Sequence, residues 1–365
     1  MQKLCEIADY VTEKIPVAQL NAENYITTDN MLPNRNGITT CESLPQAERV
    51  TKFISGDVLV SNIRPYFKKI WYATKSGGCS NDILVFRPKN NQTSNKYLYY
   101  LLSQDAFFAH MMAGANGTKM PRGNKKTIPE FITPEFDLKT QNKIASILSA
   151  YDDLIENHQK QIALLEEAAR RLYREWFVAL HFPGHETTPI TNGIPEGWKK
   201  VSVTDLLDIK YGKDHKKIED GNIPVYGSGG IMRYVNRLLY SGESVLIPRK
   251  GSLNNVFYVN DDFWTIDTMF YSIPKAKNIA KYTYLFLATL DMYSFNIGAA
   301  VPSMTVKILS RINLFLPSET ILNAFENNIT PIYEQKSVLQ KQIKKLSEAR
   351  DRLLPRLMRE GGQAD

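Results

Sequence analysis

One helical sequence occurs twice in this chain, first from residue 160 and again from residue 341. Residues 160–172 read KQIALLEEAARRL and residues 341–353 read KQIKKLSEARDRL, with eight identical residues at matching offsets. A repeat of this length usually indicates two copies of a whole structural unit, so the rest of the chain should repeat as well. We therefore expect the chain to fold as an internal duplication.

Upstream of each repeated helix, shorter patterns follow in the same order. Each copy begins with a glycine and an acidic residue, followed by an apolar run that ends at a cation, Arg64 in the first copy and Lys250 in the second. A β-rich run that ends at a proline comes next, followed by a segment of helical periodicity. A glycine turn before a proline and an apolar strand that ends in proline complete each copy. The paired segments are 56–67 and 242–253, 82–88 and 268–274, 96–112 and 281–295, 116–121 and 297–302, and 128–134 and 312–317. This order indicates two copies of one α/β plan, each followed by a long helix.

The predicted fold class is α/β (α+β), with two globular domains separated by two long helices and related by a pseudo-two-fold axis. The linker between the copies is rich in Pro, Gly and Thr, which is typical of a domain boundary. The predicted segments are a first globular domain (1–138), a central helix (139–181), a linker (182–197), a second globular domain (198–318) and a C-terminal helix (319–365).

Both long helices carry a stripe of apolar residues at alternating spacings of three and four. Such spacing over about four heptads is typical of a coiled coil. We expect the two helices to pair antiparallel and to act as a spacer between the domains; the alternative is that each helix packs only on its own domain. The residues expected in this seam are Leu148, Ile155, Ile162, Leu165, Leu172, Ile332, Leu339, Ile343, Leu346 and Leu353.

The charge and the composition of the chain indicate what it binds and where in the cell it acts. The net charge of +7 divides into +3 for residues 1–138, 0 for 139–180, +3 for 181–318 and +1 for 319–365, so polyanion binding is expected on the globular domains. Three cysteines without CxxC spacing indicate reduced thiols, with neither a disulfide framework nor a zinc site. Because there is no run of 18 apolar residues and no signal pattern, we expect a cytoplasmic protein without a membrane partner.

The usual motifs of catalysis are missing from the sequence. None of the 18 prolines follows Asn or Asp, which excludes the Asn/Asp-Pro-Pro-aromatic loop of amino-methyltransferases, and no Gly-Lys pair precedes Ser or Thr as in a P-loop. The segment YGSGGI (226–231) is interpreted as a turn. His181 and His185 lack partners at metal-site spacing, and Asp152 and Asp153 point in different directions. The sequence predicts no catalytic residue, no metal site and no cofactor bound by this chain.

With these features, the chain resembles the DNA-specificity subunit of Type I restriction–modification systems over essentially its whole length. The first copy has no counterpart of Gly197-Trp198 or of YGSGG. The two domains are therefore expected to recognise different DNA sequences, each one half of a divided site. The most specific part of the resemblance is the second copy, where five segments stand in the family's order: PEGWKKVSVTDLLDIKYGK (195–213), IPVYGSGGI (223–231), VLIPRKGS (245–252), FWTIDTMFY (263–271) and SEARDRLLPRLM (347–358).

The resemblance implies a function for each part. Each globular domain would be a target-recognition domain that reads one half of a bipartite site on double-stranded DNA, and the helices would set the gap. Two methylation subunits, which hold S-adenosylmethionine and methylate a flipped adenine, would dock on this scaffold, and restriction/translocase subunits would join them. The chain itself would be a non-catalytic subunit in the defence against foreign DNA.

Polar and basic residues on loops after strands are the candidates for DNA contact. Lys and Arg at phosphates give affinity, whereas donors and acceptors at base edges give specificity. Arg64 and Lys250 are favoured because the sequence places them at equivalent positions; a solvated loop cation is the alternative for any one of them. The candidates are Asn62, Arg64, Tyr66, Lys68, Lys119, Arg122, Asn124, Lys125 and Lys126 in the first domain, and Tyr211, Lys213, Tyr226, Ser228, Arg249, Lys250, Ser252 and Asn254 in the second.

Two further expectations concern partners and competing classes. On the central helix, Tyr173 and Phe177 are expected to be exposed and to meet the methylation subunits. A coiled-coil adaptor without a DNA role is one alternative, although basic loops and two unlike domains argue against it. A methyltransferase or nuclease with atypical motifs is the other.

Overall fold

The computed structural model describes residues 1–295 and 303–360, which fold into two compact units. The first unit is Met1–Gln159 together with the C-terminal segment from Lys341, and the second is Lys160–Gln340. Each unit takes in part of both long helices, so the units differ from the five segments drawn from the sequence. The glycine turn expected at 297–302 lies outside the described residues. Within the described part of the chain, no helix has the length and apolarity needed to cross a membrane.

Short strands form most of the first unit. They are β1 (Gln2–Lys3), β2 (Ala8–Tyr10), β3 (Lys14–Pro16), β4 (Tyr25–Ile26), β5 (Arg49–Phe53), β6 (Val58–Ser61), β7 (Ile70–Tyr72), β8 (Gly77–Cys79), β9 (Ile83–Pro88) and β10 (Ile132–Thr133). One sheet has the order β2-β9-β6-β7, a second has the order β3-β5-β8-β4, and β1 pairs with β10. The helices are α1 (Leu4–Ile7), α2 (Asn95–Leu102), α3 (Asp105–Ala113) and the start of the long α4 (Leu138–Tyr173).

The second unit contains a larger sheet. Its strands are β11 (Ile190–Thr191), β12 (Ile194–Pro195), β13 (Lys199–Ser202), β14 (Leu207–Tyr211), β15 (Asp220–Gly227), β16 (Gly230–Val235), β17 (Tyr240–Pro248), β18 (Phe257–Thr265), β19 (Met269–Pro274) and β20 (Asn313–Leu316). The sheet order is β14-β19-β17-β18-β15-β16, with separate pairs β11-β12 and β13-β20. The helices are α5 (Val203–Leu206), α6 (Ala280–Leu287), α7 (Val306–Leu309) and the start of the long α8 (Glu319–Glu360).

The predicted α/β duplication is confirmed by the strand order. The sheet β2-β9-β6-β7 of the first unit corresponds to β14-β19-β17-β18 of the second, and the pair β1-β10 corresponds to β13-β20. The helices α1 and α5, and likewise α2 and α6, occupy matching places in chain order. The second unit differs by the hairpin β15-β16, whose turn carries the glycines of YGSGGI.

Strand β6 is buried on both faces, and this fixes the loop that follows it. Alternate residues of a strand point to opposite faces. Val58 and Val60 join the cluster that includes α2, whereas Leu59 joins Phe53 and Trp71 on the other face. Each fully buried apolar side chain contributes roughly 1.5–3 kcal/mol.

The long helices pair antiparallel inside the second unit. Lys336 of α8 forms an ion pair with Glu166 of α4 at 2.6 Å. Further along α4, the ring of Tyr173 lies 6.4 Å from that of Phe325, which stands earlier on α8. A later residue of one helix therefore meets an earlier residue of the other.

The same two helices also contact each other in the first unit. Arg350 of α8 forms an ion pair with Asp152 of α4 at 2.6 Å, and Leu148 and Leu354 belong to one core cluster. These contacts exclude the alternative that each helix packs only on its own domain.

None of the ten residues predicted for the apolar seam is fully exposed to solvent. Leu148, Ile155 and Leu339 are buried, and the other seven seam residues are half-buried. Leu164, outside the predicted seam, is 70% exposed. The 3–4 spacing therefore separated the packed face of each helix from the solvent face.

Two details of the helix prediction are wrong. Neither predicted segment is a single helix. In 96–112, α2 ends at Leu102 and α3 begins at Asp105, and in 281–295, α6 ends at Leu287 before a 3-10 turn at Met292–Phe295. The central helix changes to a π-helical turn at Arg174–Val178, and Leu180 then takes a left-handed φ of 62°. Pro183 follows shortly afterwards, and proline cannot continue a helix.

The expectation that Tyr173 and Phe177 are exposed is also wrong. Tyr173 is only 4% exposed, and the ring of the half-buried Phe177 packs edge-to-face on Phe325, with 4.8 Å between the ring centres. Both rings also contact Tyr282 on α6. Aromatic rings bury large areas, and a helix from far along the chain covers these two.

Candidate nucleic-acid interface

In the first unit, two of the segments predicted to contact DNA lie side by side. One is the loop after β6 (62–68), and the other is GTKMPRGNKK (117–126). The Arg64 amide donates a hydrogen bond to the Pro121 carbonyl at 2.8 Å, which anchors the first loop on the second. The fold thus gathers into one surface residues that are far apart in sequence.

These two loops belong to the most basic stretch of the first unit. Residues 49–126 contain 13 Lys and Arg against three Asp, whereas residues 1–48 contain three Lys and Arg against seven Asp and Glu. The net charge of +3 for the whole domain is therefore the sum of a strongly basic stretch and of acidic ones. A positive field concentrated on one part of a domain is typical of polyanion binding.

The tip of the loop after β6 presents aromatic rings next to cations. Tyr66 is 47% exposed and Phe67 38% exposed, in a short 3-10 turn, and Met120 on the neighbouring loop is 47% exposed. Arg64 and Lys68, on either side of this turn, have left-handed φ angles of 49° and 51°. Such backbone costs roughly 1–2 kcal/mol per non-glycine residue and is frequent at functional sites. The other exposed candidates on this surface are Lys119, Arg122, Lys125 and Lys126.

Lys68 is tied to an acidic residue that the sequence did not single out. Its ammonium lies 2.8 Å from the Asp105 carboxylate, which also pairs with Arg35. The hydrogen bond from Lys68, together with the one from Arg35, lowers the pKa of Asp105. The Arg35 amide also donates to the Lys68 carbonyl at 3.1 Å. The turn NRNG (34–37) therefore supports the loop, a role that its sequence does not predict.

Asn62 does not reach the surface. It is 6% exposed, and neither its Oδ1 nor the buried Nε of Arg64 has a hydrogen-bond partner within the described residues. A Cβ on Gly123 would lie 2.7 Å from Asn62 Oδ1, so only glycine fits there without a shift. The Asn62 side chain is therefore packed inside the loop and is not presented at its surface. The side-chain oxygen of Asn124 accepts a hydrogen bond from the backbone amide of Lys126.

In the second unit, four loops meet at one end of the six-stranded sheet. The guanidinium of Arg249 lies 5.4 Å from the ring of Tyr211, which joins the loop after β17 to the end of β14. Asn255 donates to the Ser228 carbonyl at 2.9 Å and so adds the turn of the β15-β16 hairpin. The Lys213 amide donates to the Thr265 carbonyl at 2.8 Å and adds the turn before β19.

Gly212 permits this convergence. A Cβ at Gly212 would lie 2.0 Å from the Ile266 carbonyl oxygen, well inside any tolerated contact. Gly229, at the hairpin turn, is free of this constraint, because a Cβ there would meet no neighbouring atom within 4 Å. The loops of the second unit therefore touch through backbone at Gly212 and Lys213 and through the side chains of Arg249 and Asn255.

The candidates of the second unit separate into exposed and packed side chains. Tyr226 points inward, with its ring 5.9 Å from Phe257, and burial raises its pKa to about 12. Asn254 is exposed, but its amide binds Asp291 (3.2 Å) and the Met292 amide (2.8 Å). Ser228 and Arg249 are half-buried, and the exposed candidates are Tyr211, Lys213, Lys250, Ser252 and Asn254.

The equivalence of Arg64 and Lys250 predicted from the sequence is wrong by one residue. Ile63 bridges Arg122, and in the second unit it is Lys250 that bridges Ser303 in the same antiparallel manner. Arg64 therefore corresponds to Gly251, and both have left-handed φ angles. Seven residues lie between Gly242 and Lys250, whereas six lie between Gly56 and Ile63, and the strand pairs show the same offset of one residue. A shift of one residue moves a side chain to the other face of a strand.

Neither a metal cluster nor a disulfide is present in the described part of the chain. No group of three or more His, Cys, Asp or Glu side chains is placed to hold a metal ion within residues 1–295 and 303–360. Cys41 and Cys79 are buried thiols and Cys5 is half-buried. Burial raises the pKa of Cys79 to about 12.

These features define a duplicated α/β protein with a surface of convergent loops on each unit and a pair of long antiparallel helices. The family model of the Type I restriction modification DNA specificity domain matches residues 1–167 and 195–345, and the chain belongs to this family. The resemblance drawn from the sequence motifs is thereby confirmed.

Known proteins similar to this chain carry the same description. The Type I restriction enzyme MjaIX specificity subunit of Methanocaldococcus jannaschii is 27% identical over 305 residues, covering 74% of this chain and 69% of the relative. The Type I restriction enzyme HindI specificity subunit of Haemophilus influenzae is 21% identical, covering 92% and 93%. The crystal structure of the Type-I restriction-modification system S subunit from M. genitalium matches with a TM-score of 0.58 and 17% identity over 98% of this chain and 95% of that one, so the two share a fold.

Proposed function

We propose that each unit of this chain reads one half of a bipartite site on double-stranded DNA. The observation that carries the proposal is that each family-matched domain brings separate polar and basic loops together on one surface. In the first unit, Lys119, Lys125 and Lys126 are exposed and would contact phosphates. Tyr66 and Phe67, at the tip between them, would lie against base edges.

The two units would read different half-sites. The second unit carries the β15-β16 hairpin beside the loop of Arg249 and Lys250, whereas the first unit braces its loop with Arg35 and Asp105. Different side chains and different loop supports at the same place in the fold present different donors and acceptors to the major groove. The DNA site would therefore be asymmetric.

The paired helices would set the gap between the half-sites and dock two methylation subunits. Leu154 (44% exposed), Leu164 (70%) and Val338 (47%) lie outside the packed seam and replace Tyr173 and Phe177 as docking candidates. S-adenosylmethionine and the transfer of its methyl group to adenine would belong to the methylation subunits, and restriction/translocase subunits would complete the complex. This chain would bind no cofactor, contribute no catalytic residue and act in the cytoplasm.

DNA binding by the loops is tested with charge-matched variants. Lys125→Ala and Lys250→Ala each remove one exposed cation from the proposed surface, and Lys139→Ala removes one from the first turn of α4 as a control. Each loop variant should weaken binding at low salt and reduce the slope of log K against log salt by about one, because each phosphate contact releases counterions. Fluorescence anisotropy on duplex DNA measures both. Loop variants that match Lys139→Ala in affinity and slope would contradict the assignment.

The spacer role is tested by inserting four residues between Ala163 and Leu164 on α4. Four helical residues add about 6 Å, close to two base pairs at ~3.4 Å each. The recognised gap should lengthen, whereas the same insertion after Gly193, in the turn of the exposed β11-β12 hairpin, should leave it unchanged. A gap that stays constant in the helix variant would count against the spacer.

The division of labour is tested with the purified chain alone. Incubation with S-adenosylmethionine and DNA should give no methyl transfer until a methylation subunit is added. Transfer by the chain alone would favour the alternative of a methyltransferase with atypical motifs.

A further inference from the structure

An open polar groove lies in the first unit at the opposite ends of β6 and β9 from the Arg64 loop. Its volume is about 690 Å³, and it is lined by the turn before β6, the ends of β7 and β9, the loop after β9, the start of α2 and the first turns of α4. The lining residues that matter here are Gly56, Tyr72, Asn90, Asn91, Lys96 and Asn142.

The internal duplication shows what fills the same place in the second unit. Lys281, at the start of α6, corresponds to Lys96, and it is only 6% exposed. Its ammonium lies 2.5 Å from Glu326 and 3.1 Å from Glu243, over the ring of Tyr258 at 5.3 Å. The second unit thus neutralises this lysine with two carboxylates of its own.

The first unit keeps the lysine and the tyrosine but supplies neither carboxylate. Lys96 lies 4.2 Å from the centre of the Tyr72 ring, the counterpart of Tyr258. The counterpart of Glu243 is Gly56, because Val58 pairs with Tyr72 as Val245 pairs with Tyr258, and glycine has no side chain. The neighbouring Asp57 is fully buried and is bound by Arg87 through two hydrogen bonds of 2.7 and 2.8 Å. The counterpart of Glu326 in the repeated helix is Ala145.

Lys96 is therefore the cation of this groove that has no carboxylate. Arg87 contacts Asp57 and Glu13, and Lys89 contacts Asp9 at 3.3 Å, whereas no acidic group within residues 1–295 and 303–360 lies within 4.0 Å of Lys96.

We infer that this groove is a docking site for an acidic segment of a protein partner, whose Asp or Glu side chain takes the place that Glu326 fills in the second unit. The exposed amides of Asn90, Asn91 and Asn142 at the rim offer donors and acceptors that suit a peptide backbone. The groove lies at the other ends of β6 and β9 from the loops assigned to DNA, which favours a protein over a nucleic acid. Within the proposed function, on which this inference rests for the partner's identity, that partner is the methylation subunit.

The test measures how tightly the full-length chain binds the purified methylation subunit. Lys96→Gln should weaken binding about tenfold, since a charge-assisted contact is lost, and Lys96→Glu should weaken it further. Lys96→Arg should restore most of the affinity. Lys125→Gln, on the DNA loop, is the matched control and should leave subunit binding unchanged.

A second measurement locates the contact directly. Carbodiimide coupling joins a lysine amine to a carboxylate in contact with it, forming an amide bond with loss of water. Mass spectrometry of the coupled complex should find a peptide containing Lys96 joined to an Asp or Glu of the methylation subunit.

The outcomes distinguish this inference from the proposed function. Tight binding by wild type, Lys96→Gln and Lys96→Glu alike, with no coupling at Lys96, would overturn the docking site alone. A Lys96→Gln variant that loses DNA affinity but keeps the subunit would also overturn it, because the groove would then serve phosphate. Wild-type protein that does not bind the methylation subunit at all would overturn both.

Discussion

Asp152 joins both long helices to α2 within the first unit, and its removal should be costly. Its carboxylate accepts hydrogen bonds from the Tyr100 hydroxyl and the Arg350 guanidinium, both at 2.6 Å. The side chains of Asp152 and Arg350 are 23% and 17% exposed, and Tyr100 is 2% exposed. Asp152→Ala leaves the buried Tyr100 hydroxyl without its acceptor. It also takes the less exposed of two carboxylates from the mostly buried guanidinium, which still pairs with Asp351 (50% exposed). We expect the free energy of unfolding of this unit to fall by about 3 kcal/mol.

A double-mutant cycle with Arg350→Ala isolates the pair. Amide hydrogen exchange along α2 reports the stability of the first unit alone. The coupling free energy between Asp152 and Arg350 should be at least ~1.5 kcal/mol. The control is the pair of Glu166 (38% exposed) and Lys336 (19% exposed) in the second unit, measured in the same way. Its coupling free energy should be less than ~1 kcal/mol, because the pair is more exposed. A coupling at Asp152 no larger than at Glu166 would refute the reasoning.

Three further predictions concern the proposed interface. Asp105→Asn releases Lys68 from its ion pair, so DNA affinity should rise severalfold and the salt slope should steepen by about one; an unchanged slope in anisotropy titrations would contradict this. Gly212→Ala forces a Cβ to 2.0 Å from a carbonyl oxygen and should lower the melting temperature by several degrees, while Gly229→Ala should not; equal melting curves would show the contact to be unimportant. Phe67→Ala should leave stability almost unchanged and reduce discrimination between the cognate and a mutated half-site roughly tenfold, which competition binding measures.

The sequence was sufficient to predict the architecture because repeated patterns do not depend on long-range detail. The shared segments around Ile162 and Ile343 predicted the duplication, and their spacing predicted the packed seam, since a helix face is set by local periodicity. The runs that end at Pro88 and Pro274 likewise became β9 and β19.

The errors came from features that only tertiary contacts decide. One residue more separates Gly242 from Lys250 than separates Gly56 from Ile63, and no local pattern in the sequence reveals this difference. Tyr173 was expected at the surface because α6, which covers it, follows more than a hundred residues later. The ion pair between Lys68 and Asp105 joins residues of separate elements, and charge counts along the chain do not predict it.

The central claim is tested most directly by co-expressing this chain with the methyltransferase gene from its own neighbourhood, in a host that lacks such systems, and mapping methyladenine by long-read sequencing. The proposed function predicts methylation at a split motif of two unlike half-sites with a fixed gap, and none when this chain is omitted. Methylation that does not depend on this chain, or no methylation with both proteins present, would contradict it.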